Sequence, residues 1–183
     1  MANSAEYEEG VPADDRDGAV LIRAAEPDDL AALTDLYNHY VLETPVTFDV
    51  DPLTPGTRLE WLEAHPAAGR HRLLVAQSAG RVIGYASSSP YRPKKAFETS
   101  VETSVYLAPD QGRRGIGSRL YSELFRALAD EDVHRAYAAV TPPNPGSVRL
   151  HDRFGFEPVG VHREVGRKFG TYWDVGWYQK EMR

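Results

Sequence analysis

The chain has 183 residues, 42% hydrophobic and 26% charged, with a formal net charge of −6 and no cysteine. That length builds one domain with a real core, and the missing cysteine excludes disulfides, a thiolate nucleophile and cysteine metal sites, so no metal cofactor is expected. No apolar run reaches the ~18–20 residues of a membrane span, and the N-terminal residues carry acids without an apolar stretch, so neither membrane nor signal peptide is expected and a cytoplasmic setting is.

Residues 1–18 hold six acids (Glu6, Glu8, Glu9, Asp14, Asp15, Asp17) against Arg16, a net of −5 that leaves −1 for the rest. The nearly neutral body argues against a nucleic-acid binder. The acidic head, poor in apolar residues, is expected as a disordered tail ahead of a single domain over 19–183. In chain order, Val20-Leu21-Ile22 reads as a first short strand. Glu26-Pro27-Asp28-Asp29 starts a helix that carries Leu30, Leu33, Leu36, Tyr37 and Tyr40 at helical spacing. Thr54-Pro55 opens a second helix with Leu59, Trp61 and Leu62, ending before Pro66. Arg72 to Gln77 and Val82 to Ser87 form a hairpin about Ala79-Gly80, and Ser100 to Leu107 is a third strand of that set. Gly115 to Ala129 is helical, with Ile116, Leu120, Leu124 and Leu128 on one stripe. Ala136 to Val140 is a buried strand, Pro145 to Phe154 a helix ended by Gly155, and Glu157 to Val161 and Thr171 to Lys180 two last strands. The order predicts an α/β (α+β) fold with a mixed sheet flanked by helices, antiparallel in its first half and parallel where strands alternate with helices.

The most informative stretch runs from Val101 to Leu120. A strand enters the turn Asp110-Gln111-Gly112-Arg113-Arg114-Gly115-Ile116-Gly117, which opens a helix. The first N–H groups of a helix lack intrahelical partners, the helix dipole adds partial positive charge there, and Gly115 and Gly117 let an anion approach the backbone. Arg113, Arg114 and Arg119 add full charges suited to a pyrophosphate. A Walker loop needs a Gly-Lys-Ser/Thr ending and a dinucleotide fingerprint a third glycine; both are absent. An ordinary strand–turn–helix corner with surface arginines remains the other reading of the loop alone.

The residues Val105-Tyr106-Leu107-x-Pro109, Gly115-Ile116-Gly117-x-x-Leu120 and Asn144-x-x-Ser147-x-x-x-His151-x-x-x-Gly155-Phe156 resemble the GCN5-related N-acetyltransferase (GNAT) superfamily over residues 19–183. Tyr37-Asn38-His39-Tyr40, Ala96-Phe97, Thr99-Ser100-Val101-Glu102 and the segment from Gly166 to Val175 narrow the resemblance to the phosphinothricin and methionine sulfoximine acetyltransferases. One position departs from the superfamily pattern: Gly112 stands where glutamine or arginine is usual.

The resemblance implies transfer of an acetyl group from acetyl-CoA to the amino group of a small amino-acid-like acceptor, and a homodimer. It places the cofactor on Val105, Tyr106, Leu107, Arg113, Arg114, Gly115, Ile116, Gly117, Ser118, Asn144 and Ser147. Asn144 also reads as a plain N-cap. Glu102, a carboxylate among apolar strand residues, is the candidate general base; a solvent-facing glutamate is the alternative that period-2 alternation allows. His151 is the candidate proton donor to the leaving thiolate, or a hydrogen-bonded core histidine. Arg92, Lys94, Lys95, Ala96 and Phe97 are candidates to hold the acceptor, or a solvated basic loop. Acetylation of a polyamine, an aminoglycoside or a protein N-terminus, and a non-catalytic acyl-CoA sensor, are the competing functions. The cations near Glu102 oppose the polycationic acceptors, and the pair Glu102 and His151 opposes the sensor.

Overall fold

The computed structural model describes residues 19–112 and 114–182; the acidic segment 1–18 and Arg113 lie outside them. The elements in chain order are β1 (Leu21–Ala24), α1 (Leu30–Glu43, entered through a 3-10 turn at Pro27–Asp29), α2 (Pro55–Glu63), β2 (Arg72–Ser78) and β3 (Arg81–Pro90). They continue with β4 (Ser100–Leu107), α3 (Ile116–Leu128), β5 (Arg135–Val140), α4 (Pro145–Arg153), β6 (Glu157–Lys168) and β7 (Thr171–Glu181). One seven-stranded sheet results, in the order β1-β2-β3-β4-β5-β7-β6.

Local chemistry explains most boundaries. The Thr54 hydroxyl accepts the Thr57 N–H at 3.2 Å, with Pro55 at the first helical position, so α2 starts where a capped helix should. Ala79 (φ 47°) and Gly80 (φ 76°) provide the two left-handed residues of the tight turn between β2 and β3. Phe169 (φ 52°) and Gly170 (φ 73°) do the same between β6 and β7, which lets β6 run on to Lys168 rather than stop at Val161 as expected from the sequence.

Both faces of the sheet are covered, so Leu73-Leu74-Val75-Ala76 is apolar throughout rather than alternating. Leu33, Leu36, Leu62, Leu73, Val75 and Tyr85 pack together under α1 and α2. On the other face Leu74, Ala76, Ile83, Ala86 and Val101 meet the α3 stripe of Ile116, Leu120, Leu124 and Leu128, each at most 2% exposed. Gly84 sits where β3 crosses β4: a β-carbon there would lie 2.6 Å from Leu107 Cδ2 and 3.0 Å from the Tyr106 carbonyl. Gly84→Ala is therefore expected to destabilise the domain by about 1–3 kcal/mol in urea unfolding, the usual cost of overpacking.

One expectation changes. Among the described residues, parallel pairing occurs only between β4 and β5. β7 inserts between β5 and β6 and runs antiparallel to both, so β5 and β6 are not neighbours. In α2, Leu59 is 44% exposed whereas Arg58 is 4% exposed; the arginine, not the leucine, faces inward.

Candidate active site

The site is created by an interruption in the sheet. β4 and β5 pair only through Ser100↔Arg135, Val101↔Ala136 and Glu102↔Tyr137, and beyond these no ladder joins them. The Ala108 N–H donates to the Ile83 carbonyl at 2.9 Å. By alternation, the amides of Ser104 and Tyr106 face β3, whereas those of Val105 and Leu107 face the opening toward β5. The Leu107 N–H meets the Tyr40 hydroxyl at 3.3 Å, and that hydroxyl donates to the Leu107 carbonyl at 2.7 Å.

Glu102 stands at the last paired position, where the strands part. Its register partner on β3 is Ser89, followed by Ser104 opposite Ser87 and Tyr106 opposite Tyr85. These six residues line one wall of a cleft of about 440 Å³, closed by Tyr37, Thr47, Asp49, Arg58 and Trp61 from the α1–α2 region and by Ala139, Thr141 and Val175. Burial raises the Glu102 carboxyl above its ordinary range, and the nearby charge of Arg92 acts in the opposite direction. A half-buried carboxylate with a raised pKa is a proton acceptor suited to near-neutral chemistry.

Arg58 was missed by the sequence reading. Its guanidinium lies 3.9 Å from the Trp61 ring centroid and 4.5 Å from that of Tyr37, and Nη1 donates to the Leu33 carbonyl at 3.2 Å. Among the described residues it makes no ion pair. A buried cation held between aromatic rings and open to the cleft has donors left for an anionic group. The detectable signal was Arg58 three residues before Trp61 on one helix face.

The expected acceptor loop is divided. Arg92 acts on Glu102 and spreads its guanidinium over Tyr91 (4.4 Å) and Trp177 (5.5 Å). Lys94, Lys95 and Phe97 line a separate depression with Arg70 and His71, and Ala96 is exposed beside it; none of these four lines the Glu102 cleft.

His151 is not brought to Glu102. Glu102 and Thr103 point to opposite faces, and His151 belongs to the Thr103 face. It is 5% exposed, its Nδ1 lies 2.8 Å from the Ser147 carbonyl, and its Nε2 lies 2.9 Å from the Tyr121 hydroxyl, itself 3.2 Å from Thr103 Oγ1. Both ring nitrogens are thus engaged, and burial lowers the pKa, which keeps the ring neutral. Burial of a neutral histidine also ties stability to pH: the unfolded chain takes up the proton more readily. Stability present above the ordinary histidine pKa of about 6.5 is therefore lost as pH falls below it.

The loop before α3 fits an anion. Gly115 is left-handed (φ 75°), and among the described residues no side chain caps the helix. A β-carbon at Gly117 would meet Leu150, Leu107 and Val105 at 3.6–3.8 Å, ordinary contact distance. Uncapped N–H groups of Ile116, Gly117 and Ser118 beside the β4–β5 opening match a pyrophosphate joined to an extended arm. Of the neighbouring polar groups, Arg114 Nη1 donates to Gln111 Oε1 at 2.9 Å and Ser118 Oγ accepts from Arg153 at 3.1 Å. Arg119, expected near the cradle, instead donates to the Val20 carbonyl at 2.6 Å. Asn144 caps α4 by accepting the Ser147 N–H at 3.1 Å.

An interrupted β4–β5 pair followed by an uncapped helix suits an acyl carrier bound as a false strand, and the family model "Acetyltransferase (GNAT) family" matches residues 33–156. The chain belongs to the GNAT acetyltransferase family. Among GNAT relatives, a phosphinothricin N-acetyltransferase of Streptomyces coelicolor is 59% identical over 89% of this chain and 96% of its own. An L-methionine sulfoximine/L-methionine sulfone acetyltransferase of Pseudomonas paraeruginosa is 35% identical over 88% and 94%. The structure of yncA, an acetyltransferase from Salmonella typhimurium with its cofactor acetyl-CoA, superposes with a TM-score of 0.84 at 34% identity, covering 90% of this chain and 95% of that one. This chain is thus a GNAT acetyltransferase whose relatives include phosphinothricin and methionine sulfoximine acetyltransferases. Among its described residues no helix is long and apolar enough to cross a membrane.

Proposed function

We propose that the protein acetylates the amino group of a small anionic amino acid of the phosphinothricin or methionine sulfoximine kind, by direct transfer with Glu102 as general base. The observation that carries this reading is Glu102 itself: a half-buried carboxyl with a raised pKa at the point where β4 leaves β5, facing a cleft that also holds Arg58.

The acceptor arrives as an ammonium ion, since a free amine is mostly protonated at pH 7. Glu102 takes one proton, freeing the nitrogen lone pair to attack the thioester carbonyl of acetyl-CoA. A second proton, released from nitrogen as the C–S bond breaks, accompanies the sulfur and leaves a neutral amide and a thiol. No enzyme nucleophile is required. The Val105 amide, on the open side of β4, is the backbone donor for the carbonyl or the extended arm, and the N-terminus of α3 holds the diphosphate with Arg114 nearby. Arg58, with Arg92 outside the cleft, attracts the acceptor's carboxylate and phosphinate. His151, bonded to Tyr121 on the Thr103 side of β4, takes no part in the transfer.

The reading extends to a homodimer. β6 is the outer strand of the sheet, with Val159, Val161 and Val165 each more than half exposed, and Tyr172 on β7 is 59% exposed. Sedimentation is expected to give twice the monomer mass.

The test is incubation with acetyl-CoA and a panel holding phosphinothricin, methionine sulfoximine, ordinary amino acids, a polyamine and an aminoglycoside, read by mass spectrometry. Acetylated anionic amino acids are expected. Preference for the polycations would contradict the role given to Arg58, and acetyl-CoA binding with no product from any amine would indicate a sensor. The acidic limb of kcat/KM should lie above the ~4.3 of an ordinary glutamate. Arg92→Gln should move it to still higher pH, because the lost positive charge had favoured the carboxylate.

A further inference from the structure

Beside Glu102 the cleft wall contains a hydrogen-bonded pair with no part in the transfer described so far. His65 follows α2 and is buried. Its Nδ1 lies 2.6 Å from the Trp61 carbonyl and its Nε2 2.9 Å from Ser89 Oγ. A carbonyl only accepts, so Nδ1 carries the ring hydrogen. Nε2 of the neutral ring then has a lone pair, and the single hydrogen of Ser89 is committed to it. What the Ser89 oxygen has left for other partners is lone pairs.

Ser89 lines the cleft and is the cross-strand partner of Glu102. Side chains so paired have β-carbons about 5 Å apart on the same face of the sheet. The wall therefore offers two acceptors side by side, a carboxylate and a hydroxyl whose hydrogen is turned away. An ammonium group, with three N–H donors and no acceptor, is the complementary ligand.

We propose that Ser89, oriented by His65, is the second seat for the acceptor's amino group beside Glu102; this rests on the reading of that cleft as the acceptor site. The ammonium gives one proton to Glu102, and a remaining N–H donates to Ser89 Oγ, which holds the nitrogen while its lone pair is used. His65 is a positioning residue: it touches Ser89 and not the substrate.

Protonation of His65 reverses the arrangement. Nε2 then donates to Ser89, whose own hydrogen swings toward the cleft and opposes an ammonium. The groups that face His65 all bear on this equilibrium. Arg58 and His71 disfavour the charged ring together with burial, the Trp61 carbonyl favours it, the Trp61 ring packs at 5.2 Å, and Glu102 stands behind Ser89. Arg70 adds positive charge beside His71.

The experiment is steady-state kinetics of the full-length enzyme with phosphinothricin and acetyl-CoA as probes. Ser89→Ala is expected to raise the KM for phosphinothricin about 10-fold, the effect of one hydrogen bond to a charged group, with the KM for acetyl-CoA unchanged. Ser89→Thr, which keeps the hydroxyl, should restore it. His65→Ala should raise the same KM by a smaller factor. His65→Gln should not, since its amide both donates to Trp61 and accepts from Ser89. In the wild type the KM for phosphinothricin should climb only at pH below the ordinary histidine range of about 6.5, because burial, His71 and Arg58 hold the ring's pKa down, and His65→Gln should remove that rise. A wild-type KM in Ser89→Ala, alongside an inactive Glu102→Gln, overturns this proposal while sparing the base. A wild type that acetylates no amine overturns the acceptor reading and this proposal with it.

Discussion

Glu102→Gln is expected to lower kcat by about 10²-fold or more at neutral pH while leaving the KM for acetyl-CoA near its wild-type value. The substitution preserves shape and removes only the ability to take a proton. Glu102 sits on β4 between Val101 and Thr103, two residues that face the α3 core, so strand alternation forces its side chain into the cleft. The burial that raises its pKa also means that replacing a carboxylate by an amide removes a desolvation cost, so the variant should be no less stable than the wild type. A second readout separates base from scaffold. Raising the pH increases the fraction of free amine, so the activity of the variant should recover part of its deficit at alkaline pH, as expected when solvent replaces a lost base.

His151→Ala is expected to act mainly on stability, by about 3–5 kcal/mol, the sum of a core cavity and a buried hydroxyl that loses one of its two partners. The Tyr121 hydroxyl is fully buried and shares its hydrogen bonds between His151 and Thr103. The ring also packs edge-on to Phe156 at 4.9 Å and stacks on Tyr178 at 6.0 Å. Thermal unfolding should register a drop of roughly 2–4 °C per kcal/mol for a domain of this size. Below the melting transition, the folded enzyme should retain kcat within a few-fold. A loss of kcat beyond 10²-fold with the melting temperature unchanged would instead place His151 in the chemistry as the thiolate's proton donor.

The elements legible in the sequence are those whose signals are local. The stripe Ile116, Leu120, Leu124 and Leu128 is buried residue by residue, and the β4 limits agree with the β-prone run that suggested them. Glycine and left-handed geometry likewise coincide at Gly80, Gly115 and Gly170. The order of strands is not local: nothing in Thr171–Glu181 states that it will enter between β5 and β6, because the choice depends on which edge α4 leaves open. Burial of Arg58 was equally hidden. An arginine among Leu59, Trp61 and Leu62 reads as solvent-facing, and the Tyr37 and Trp61 rings that stabilise an inward guanidinium come from two helices. His65 and Ser89, 24 residues apart, meet only because α2 returns across β3. The loop ahead of α3 was readable as a strand, glycines and a helix start. The acceptor side is assembled from α1, α2, β3 and β4, so beyond Tyr37 and Glu102, which lie in family segments, its residues carried no motif.

The most direct measurement is the initial rate of thiol release from acetyl-CoA with phosphinothricin as acceptor, run in parallel for the wild type and Glu102→Gln. The wild type should release thiol in proportion to acetylated product, with the rate rising along a single acidic limb, and Glu102→Gln should lose both the rate at neutral pH and that limb. Equal rates in the two proteins, or thiol release with no acetylated amine, would contradict the assignment of this cleft as the acetyl-transfer site.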